Sequence, residues 1–454
     1  MPPPTVPKQA KQVKQVLDKL KDFIPTKYEQ TYLYGFRGFL VIQTFLWMFL
    51  NTFVPVAVAA SKNAQGPFYQ RMLRKTLSVL FWNENLLYGT IIFLSARCLA
   101  IPFLRNPSKD TLARSMMTRG ISLWFPVAVS LAIVKLASST MGETYIYLFL
   151  QGTGNRSASV PYFLPNAFAY FNSVFDVFWV TRNFNTQAAS TAFPTQTLWI
   201  ISAVYSQSYT VFITMIIMPY TRPTWRIQGA ILFVIAAWWV QSWAWFTITG
   251  LLFCDMVMNM GWKEKALRGI PLTLPAALFK DKTARRFRIP VWAPAILFIT
   301  GGLLMQFLWT DWRPNLLDGE YLVHTDIYTT GGVNHDYKKT HTMARDDNYL
   351  YILGIFIFLE TYDIVQKIFA NPFFLYLGKR SLSYFLVQSP MMYTVGIKVF
   401  TSLRTTDHIG FSGACMVTLI TCLAVIVPMA EVFYRCVEIP SKIGAHKFYD
   451  FITS

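Results

Sequence analysis

Arg37 lies in the stretch Tyr34-Gly35-Phe36-Arg37-Gly38, at the mouth of an apolar run from Phe39 to Ala60. A guanidinium held at the start of a membrane-length segment must find water or an anion, so it is either a headgroup anchor or a binding group. Deeper in other apolar segments sit carboxylates: Glu84 within Asn83-Glu84-Asn85, Asp176 within Phe175-Asp176-Val177, then Asp255, Glu360 and Asp363. A carboxylate in hydrocarbon costs about 3 kcal/mol or more unless paired, so each must face the bundle interior, a water path or an interface. Arg37, Arg97 and Arg119 are the natural partners, and each carboxylate is open to two roles, ion pairing or acid–base chemistry.

Other chemistries find less support. All five histidines (His324, His335, His341, His408 and His446) fall outside the apolar runs, so no intramembrane imidazole is available as a general base. His335 and His341 lie near Asp336, Asp346 and Asp347, but their spacing in a Gly-rich loop fixes no helical face, and no metal site is expected. Cys98, Cys254, Cys415, Cys422 and Cys436 show no metal-type pairing and read as buried free thiols. There is no Walker loop, no Gly-x-Ser-x-Gly elbow and no His-Glu-x-x-His.

The elements that must position these groups are membrane helices. The chain has 454 residues, 54% hydrophobic and only 14% charged, with several runs near the ~20 residues that span a bilayer. The predicted fold class is therefore all-α, a polytopic transmembrane helical bundle. The net charge of +18 does not point to nucleic acid, because the basic residues gather in loops between apolar runs, as the positive-inside rule and anionic lipid require.

In chain order, Gln9 to Ile24 forms an amphipathic pattern within a basic N-terminal segment, 1–34, predicted to lie on the cytoplasmic surface. Spans follow at Phe39 to Ala60, Thr76 to Ile101 and Ile121 to Ser138. Four apolar pieces come next: Asn166 to Val180, Leu198 to Pro219, Ile227 to Trp245 and Phe246 to Met260. The outward loop holds Asn155-Arg156-Ser157, an N-glycosylation triplet with Asn155 as acceptor. The stretch from Lys263 to Arg288 is strongly basic and belongs inside, so three of the four pieces cross and one is re-entrant, interfacial or fused. Val291 to Trp309, Tyr349 to Phe369, Ser381 to Phe400 and Phe411 to Tyr434 complete ten spans, in a transmembrane domain over 35–436. The polar loop 310–348 faces the lumen, both termini are cytoplasmic, and 437–454 is a cytoplasmic tail. The membrane expected is the endoplasmic reticulum or another endomembrane.

A resemblance adds to this reading. Tyr32-Leu33-Tyr34-Gly35-Phe36-Arg37-Gly38 resembles the Leu-x-Gly-Leu-Arg-Gly opening of the acyltransferase-3 family of integral membrane acyltransferases. Further landmarks are similar and run in family order: Ile92 to Arg97, Arg119 to Pro126, Thr197-Leu198-Trp199, Thr249 to Asp255, Phe374 to Pro390, and Glu438-Ile439-Pro440-Ser441. The ordered set looks closest to the fungal-type branch. It implies transfer of an acyl group from acyl-CoA, as cosubstrate with no bound cofactor, to a hydroxyl of a lipophilic small molecule. Arg37, Arg97 and Arg119 would hold the donor's phosphates, and Gln388, in the place of a family histidine, would face substrate.

The sequence also departs from that pattern. The histidine expected after Arg37, with ten residues between, is Met48; an expected acidic residue is Val204; and Tyr34 replaces the acidic residue before the first glycine. A general base contributes typically 10²–10⁴-fold, so the loss matters. Three readings stay open. The first is acyl transfer with Glu84 or Asp176 as substitute base. The second is a repurposed fold, in which an interior carboxylic acid protonates a hydrophobic substrate for cyclisation or isomerisation and Trp47, Phe49 and Trp82 face a cation. The third is a non-catalytic transporter or lipid binder.

Overall fold

The computed structural model describes residues 30–59, 61–180, 184–274, 285–322, 324–325 and 343–454. The amphipathic N-terminal pattern, His335 and His341 lie outside the described residues. Helices dominate: α1 (Thr31–Phe53), α2 (Glu84–Leu99), α3 (Lys109–Met141), α4 (Ala167–Trp179), α5 (Trp199–Ile217), α6 (Pro223–Trp239) and α7 (Ala244–Asn259), then α8 (Trp292–Phe307), α9 (Asp346–Thr361), α10 (Pro372–Lys379), α11 (Ser381–Met391), α12 (Phe411–Phe433) and α13 (Ile439–Thr453). Among the described residues six helical segments are long and apolar enough to cross a membrane, and α7 with Trp262–Arg268, bent by 89°, makes a seventh. Apolar side chains such as Ile213, Leu232, Leu297 and Ile420 point outward, as they do where the surroundings are lipid rather than water. The chain is a helical membrane protein.

Of the four apolar pieces between 166 and 260, Asn166 to Val180 holds the shortest helix. Helix α4 has only 13 residues. The Tyr162 N–H donates to the Thr191 carbonyl at 2.9 Å, and Gln196 Nε2 donates to Ser159 Oγ at 2.7 Å, so the residues before and after this piece lie side by side. At its far end Gln187 Nε2 donates to the Val180 carbonyl at 3.0 Å. Among the described residues the fold is all-α apart from one short ribbon. Ile270–Leu274 (β1) and Arg285–Ile289 (β2) pair antiparallel, with Ile270 opposite Ile289, inside the basic stretch read as a loop. β-Branched and apolar residues alternating with arginines suit a short ribbon there.

The packing that positions the site is close. A Cβ on Gly35 would run into the Phe369 carbonyl oxygen, one on Gly38 into the Phe374 carbonyl oxygen, and one on Gly378 into the Tyr34 carbonyl oxygen. Helices α1 and α10 therefore meet backbone to backbone, and the glycines flanking Arg37 set how near the two can come. Phe36 fills the adjacent space edge-on against Phe356 (5.5 Å) and Phe369 (5.1 Å). In the same way α2 and α7 close on Gly250, where a Cβ would stand 2.6 Å from the Phe93 carbonyl oxygen.

Candidate functional site

A cavity of about 300 Å³ opens between α1, α2, α3, α5 and α11. Arg37, Arg119, Lys379 and Lys442 stand on its lining, with Glu438 as the carboxylate among the lining residues. Further in, the walls are apolar: Leu40 and Val41 from α1, Ile91 and Leu94 from α2, Ile200, Ile201 and Val204 from α5, and Phe385 from α11. Thr44 and Gln388 are the polar residues farthest along their helices from the cationic end. The volume is at the low end for a small-molecule site, and the design, apolar walls with a few placed polar groups, is typical of one.

The two arginines differ from other buried cations in the bundle. Arg119 donates through Nε to Ser208 Oγ at 3.2 Å and through Nη2 to Ser95 Oγ at 2.7 Å, both neutral acceptors. Among the described residues Arg37 has no hydrogen-bond or ion-pair partner and rests over the Tyr34 ring at 5.9 Å. Both guanidiniums belong to the lining of the same cavity. Glu438 is occupied by Lys442 Nζ at 2.7 Å and Ser383 Oγ at 2.5 Å. Four cationic groups against one already paired carboxylate leave the cavity strongly favourable for an anion, and paired guanidiniums suit phosphate oxygens.

Gln388 is 1% exposed. Its Nε2 donates to the Val41 carbonyl at 3.4 Å, while its Oε1 is buried with no partner. Since Val41 offers only an acceptor, the amide cannot be turned the other way without losing that bond. Its free oxygen is thus an acceptor waiting for a donor.

The structure thus brings together Arg37, Arg119 and Gln388 from the sequence-predicted set and leaves the others elsewhere. Arg97, expected among the donor-binding arginines, is fully buried away from the cavity lining. Its Nε donates to Glu360 Oε1 at 2.9 Å, its Nη1 reaches Cys254 Sγ at 2.9 Å, and Tyr32 OH donates to Glu360 Oε2 at 2.5 Å. This is a structural ion pair, with its charge already spent. Asp255 pairs with Arg226 at 2.9 Å and Asp363 with Lys263 at 2.5 Å, each with a cation from a different helix.

Glu84 opens α2 beside Tyr88, and Asp176 lies half-buried on the short α4; neither is among the cavity's lining residues. The base assigned to them is therefore not where the arginines are. Around Glu84 the aromatics pack on one another, Trp47 edge-on to Tyr88 at 5.7 Å and Tyr88 edge-on to Trp199 at 4.8 Å. Met48 is fully buried and off the cavity, whereas Val204 and Tyr34 line it. Glu438 was missed as a site residue, although Glu438-Ile439-Pro440-Ser441 had drawn notice; a carboxylate one turn before Lys442 is the signal that pointed to it.

Asn155, the acceptor of the triplet, is buried. It is 6% exposed; its Nδ2 donates to the Asn51 and Thr52 carbonyls, both at 2.9 Å, and its Oδ1 accepts from the Ser157 and Ala158 N–H groups. In the folded chain these bonds make Asn155 an anchor for the end of α1, and a glycan on Nδ2 would displace those to Asn51 and Thr52. Among the described residues no group of three histidine, cysteine, aspartate or glutamate side chains is arranged to hold a metal ion. The sequence matched no family model and no curated protein, and no solved structure matched the fold.

Proposed function

We propose that this protein is a membrane-bound acyltransferase that takes an acyl group from acyl-CoA and passes it to a hydroxyl of a lipophilic small molecule. The observation that carries this reading is the pair Arg37 and Arg119, two guanidiniums without a carboxylate partner at one end of an apolar-walled cavity. An amphipathic anion satisfies both halves: phosphates at the cations, an acyl or pantetheine arm among Leu40, Ile91, Ile200 and Phe385.

The wider frame of the proposal is a ten-span bundle in an endomembrane such as the endoplasmic reticulum, with both termini cytoplasmic. The cationic end of the cavity then opens to the cytoplasm, where acyl-CoA is found, because the basic loops lie on that side. Lipids and a small acceptor are the partners.

The experiment is binding of a non-hydrolysable palmitoyl-CoA analogue to the full chain in lipid nanodiscs. Arg119→Gln and Arg37→Gln should each weaken it roughly 10- to 100-fold, the scale of a charge-assisted contact. An analogue that binds no better than neutral palmitoyl-pantetheine, or that is indifferent to both substitutions, would contradict the reading.

A further inference from the structure

Three features define the inner end of the cavity. Thr44 stands seven residues beyond Arg37 on α1, a rise of roughly 10 Å along the helix. Gln388 stands at a matching depth on α11, tied to the Val41 carbonyl just before Thr44. The Thr44 hydroxyl already donates to the Leu40 carbonyl, so it adds no free donor there. What remains is one buried carbonyl oxygen, Gln388 Oε1, with no partner. Leaving such an oxygen dry is costly, and a ligand that supplies a hydrogen removes that cost.

We propose that the inner end of this cavity is a hydroxyl-recognition subsite in which Gln388 Oε1 accepts a hydrogen bond from the ligand's O–H. The ligand class follows from the geometry: an anionic group at Arg37 and Arg119, an apolar stretch, and a hydrogen-bond donor roughly 10 Å further in. Val41, Leu94, Ile201 and Phe385 line the stretch between the two ends; Thr44 Oγ1 keeps acceptor lone pairs at this depth, and Gln388 Oε1 differs from it in making no hydrogen bond at all. A methyl or ether oxygen at the same depth leaves Gln388 unpaired and is discriminated against, as sites built to bond a hydroxyl reject analogues lacking it. In an acyl transfer, the hydroxyl so held is the acceptor's, and Gln388 positions it without taking its proton. This inference rests on the anion-binding reading of the cationic end.

The test uses two probes, 8-hydroxyoctyl phosphate and octyl phosphate, and binding to the full chain in nanodiscs measured calorimetrically. An extended chain of about eight carbons covers the rise of roughly 10 Å. The hydroxylated probe should bind wild type roughly tenfold tighter than octyl phosphate, the scale of one buried hydrogen bond. In Gln388→Met, which keeps the volume and removes the acceptor, the two probes should bind alike, and a cooperative thermal unfolding transition shows separately that the variant is folded. Arg119→Gln should weaken both probes equally. Equal binding of both probes to wild type, or discrimination that survives in Gln388→Met, overturns the Gln388 subsite and leaves the anion site standing. Failure of both probes to bind wild type overturns the anion site itself.

Discussion

Arg119 gives its Nη2 hydrogen to Ser95 Oγ at 2.7 Å, a neutral acceptor, whereas Arg97, Arg226 and Arg345 each take a carboxylate. The contrast separates arginines that hold the bundle together from one whose charge is still available. Serine satisfies part of the guanidinium's hydrogen bonding and none of its charge. Substitution of Arg119 should therefore be cheap for the fold and costly for the ligand. Arg119→Gln is expected to unfold within about 1 kcal/mol of wild type. Thermal unfolding in detergent beside ligand binding makes that comparison.

Arg97 predicts the opposite. Arg97→Met leaves Glu360 buried with only Tyr32 as partner, and breaking a buried ion pair from one side costs about 3–5 kcal/mol. The double variant Arg97→Met/Glu360→Leu removes the orphaned charge and should recover most of the loss. Chemical denaturation of the three proteins checks this; additivity of the two changes would refute a direct pair.

At Gly378 the expected effect is steric. A methyl group there meets the Tyr34 backbone carbonyl, which cannot rotate away, so Gly378→Ala must part α1 from α10. A destabilisation of at least about 2 kcal/mol is expected, with loss of ligand binding because Arg37 moves with α1. An ordinary melting temperature would show that the helices are less close than described.

These three cases also show how far the sequence could be read. The need for partners at Glu360, Asp255 and Asp363 was legible, because a carboxylate among apolar residues has few alternatives. Which cation each would meet was not: Arg226 and Lys263 come from helices whose rotation the sequence leaves open. The glycines around Arg37 stood out in a motif, yet their work is helix contact, while the arginine between them faces the cavity. Charge parity leaves four candidates for the piece that does not cross, and the hydrogen bonds that draw together the flanks of Asn166 to Val180 join residues some thirty positions apart, beyond the reach of local pattern. Asn155 fits a glycosylation triplet that says nothing about burial. Gln388 was noted through resemblance alone; that its Oε1 lacks a partner depends on where the Val41 carbonyl points.

A pH dependence arises outside the spanning segments, at Glu320. Its Oε1 accepts the Asp346 N–H at 2.7 Å and its Oε2 is buried without a partner. Burial, and then the negative charge of Asp347, push the Glu320 carboxyl up to about 8 from an ordinary 4.5. The folded chain therefore keeps a proton that the unfolded chain releases. Stability from this group is present at pH 4.5 and falls as pH rises towards 8. Glu320→Gln, neutral throughout, should flatten that slope and melt higher than wild type at pH 8. Melting temperatures of both proteins at pH 5, 6.5 and 8 decide it; a wild-type melting temperature that rises across this range, absent from the variant, would reverse the sign.

The most direct measurement of the central claim is product mass in cells with and without this protein, with Arg119→Gln as a third sample. Acyl transfer predicts a compound heavier than its precursor by one acyl group, present with wild type and sharply reduced with the variant. A product of the same mass as its substrate, or an unmodified compound merely redistributed across the membrane, would contradict it.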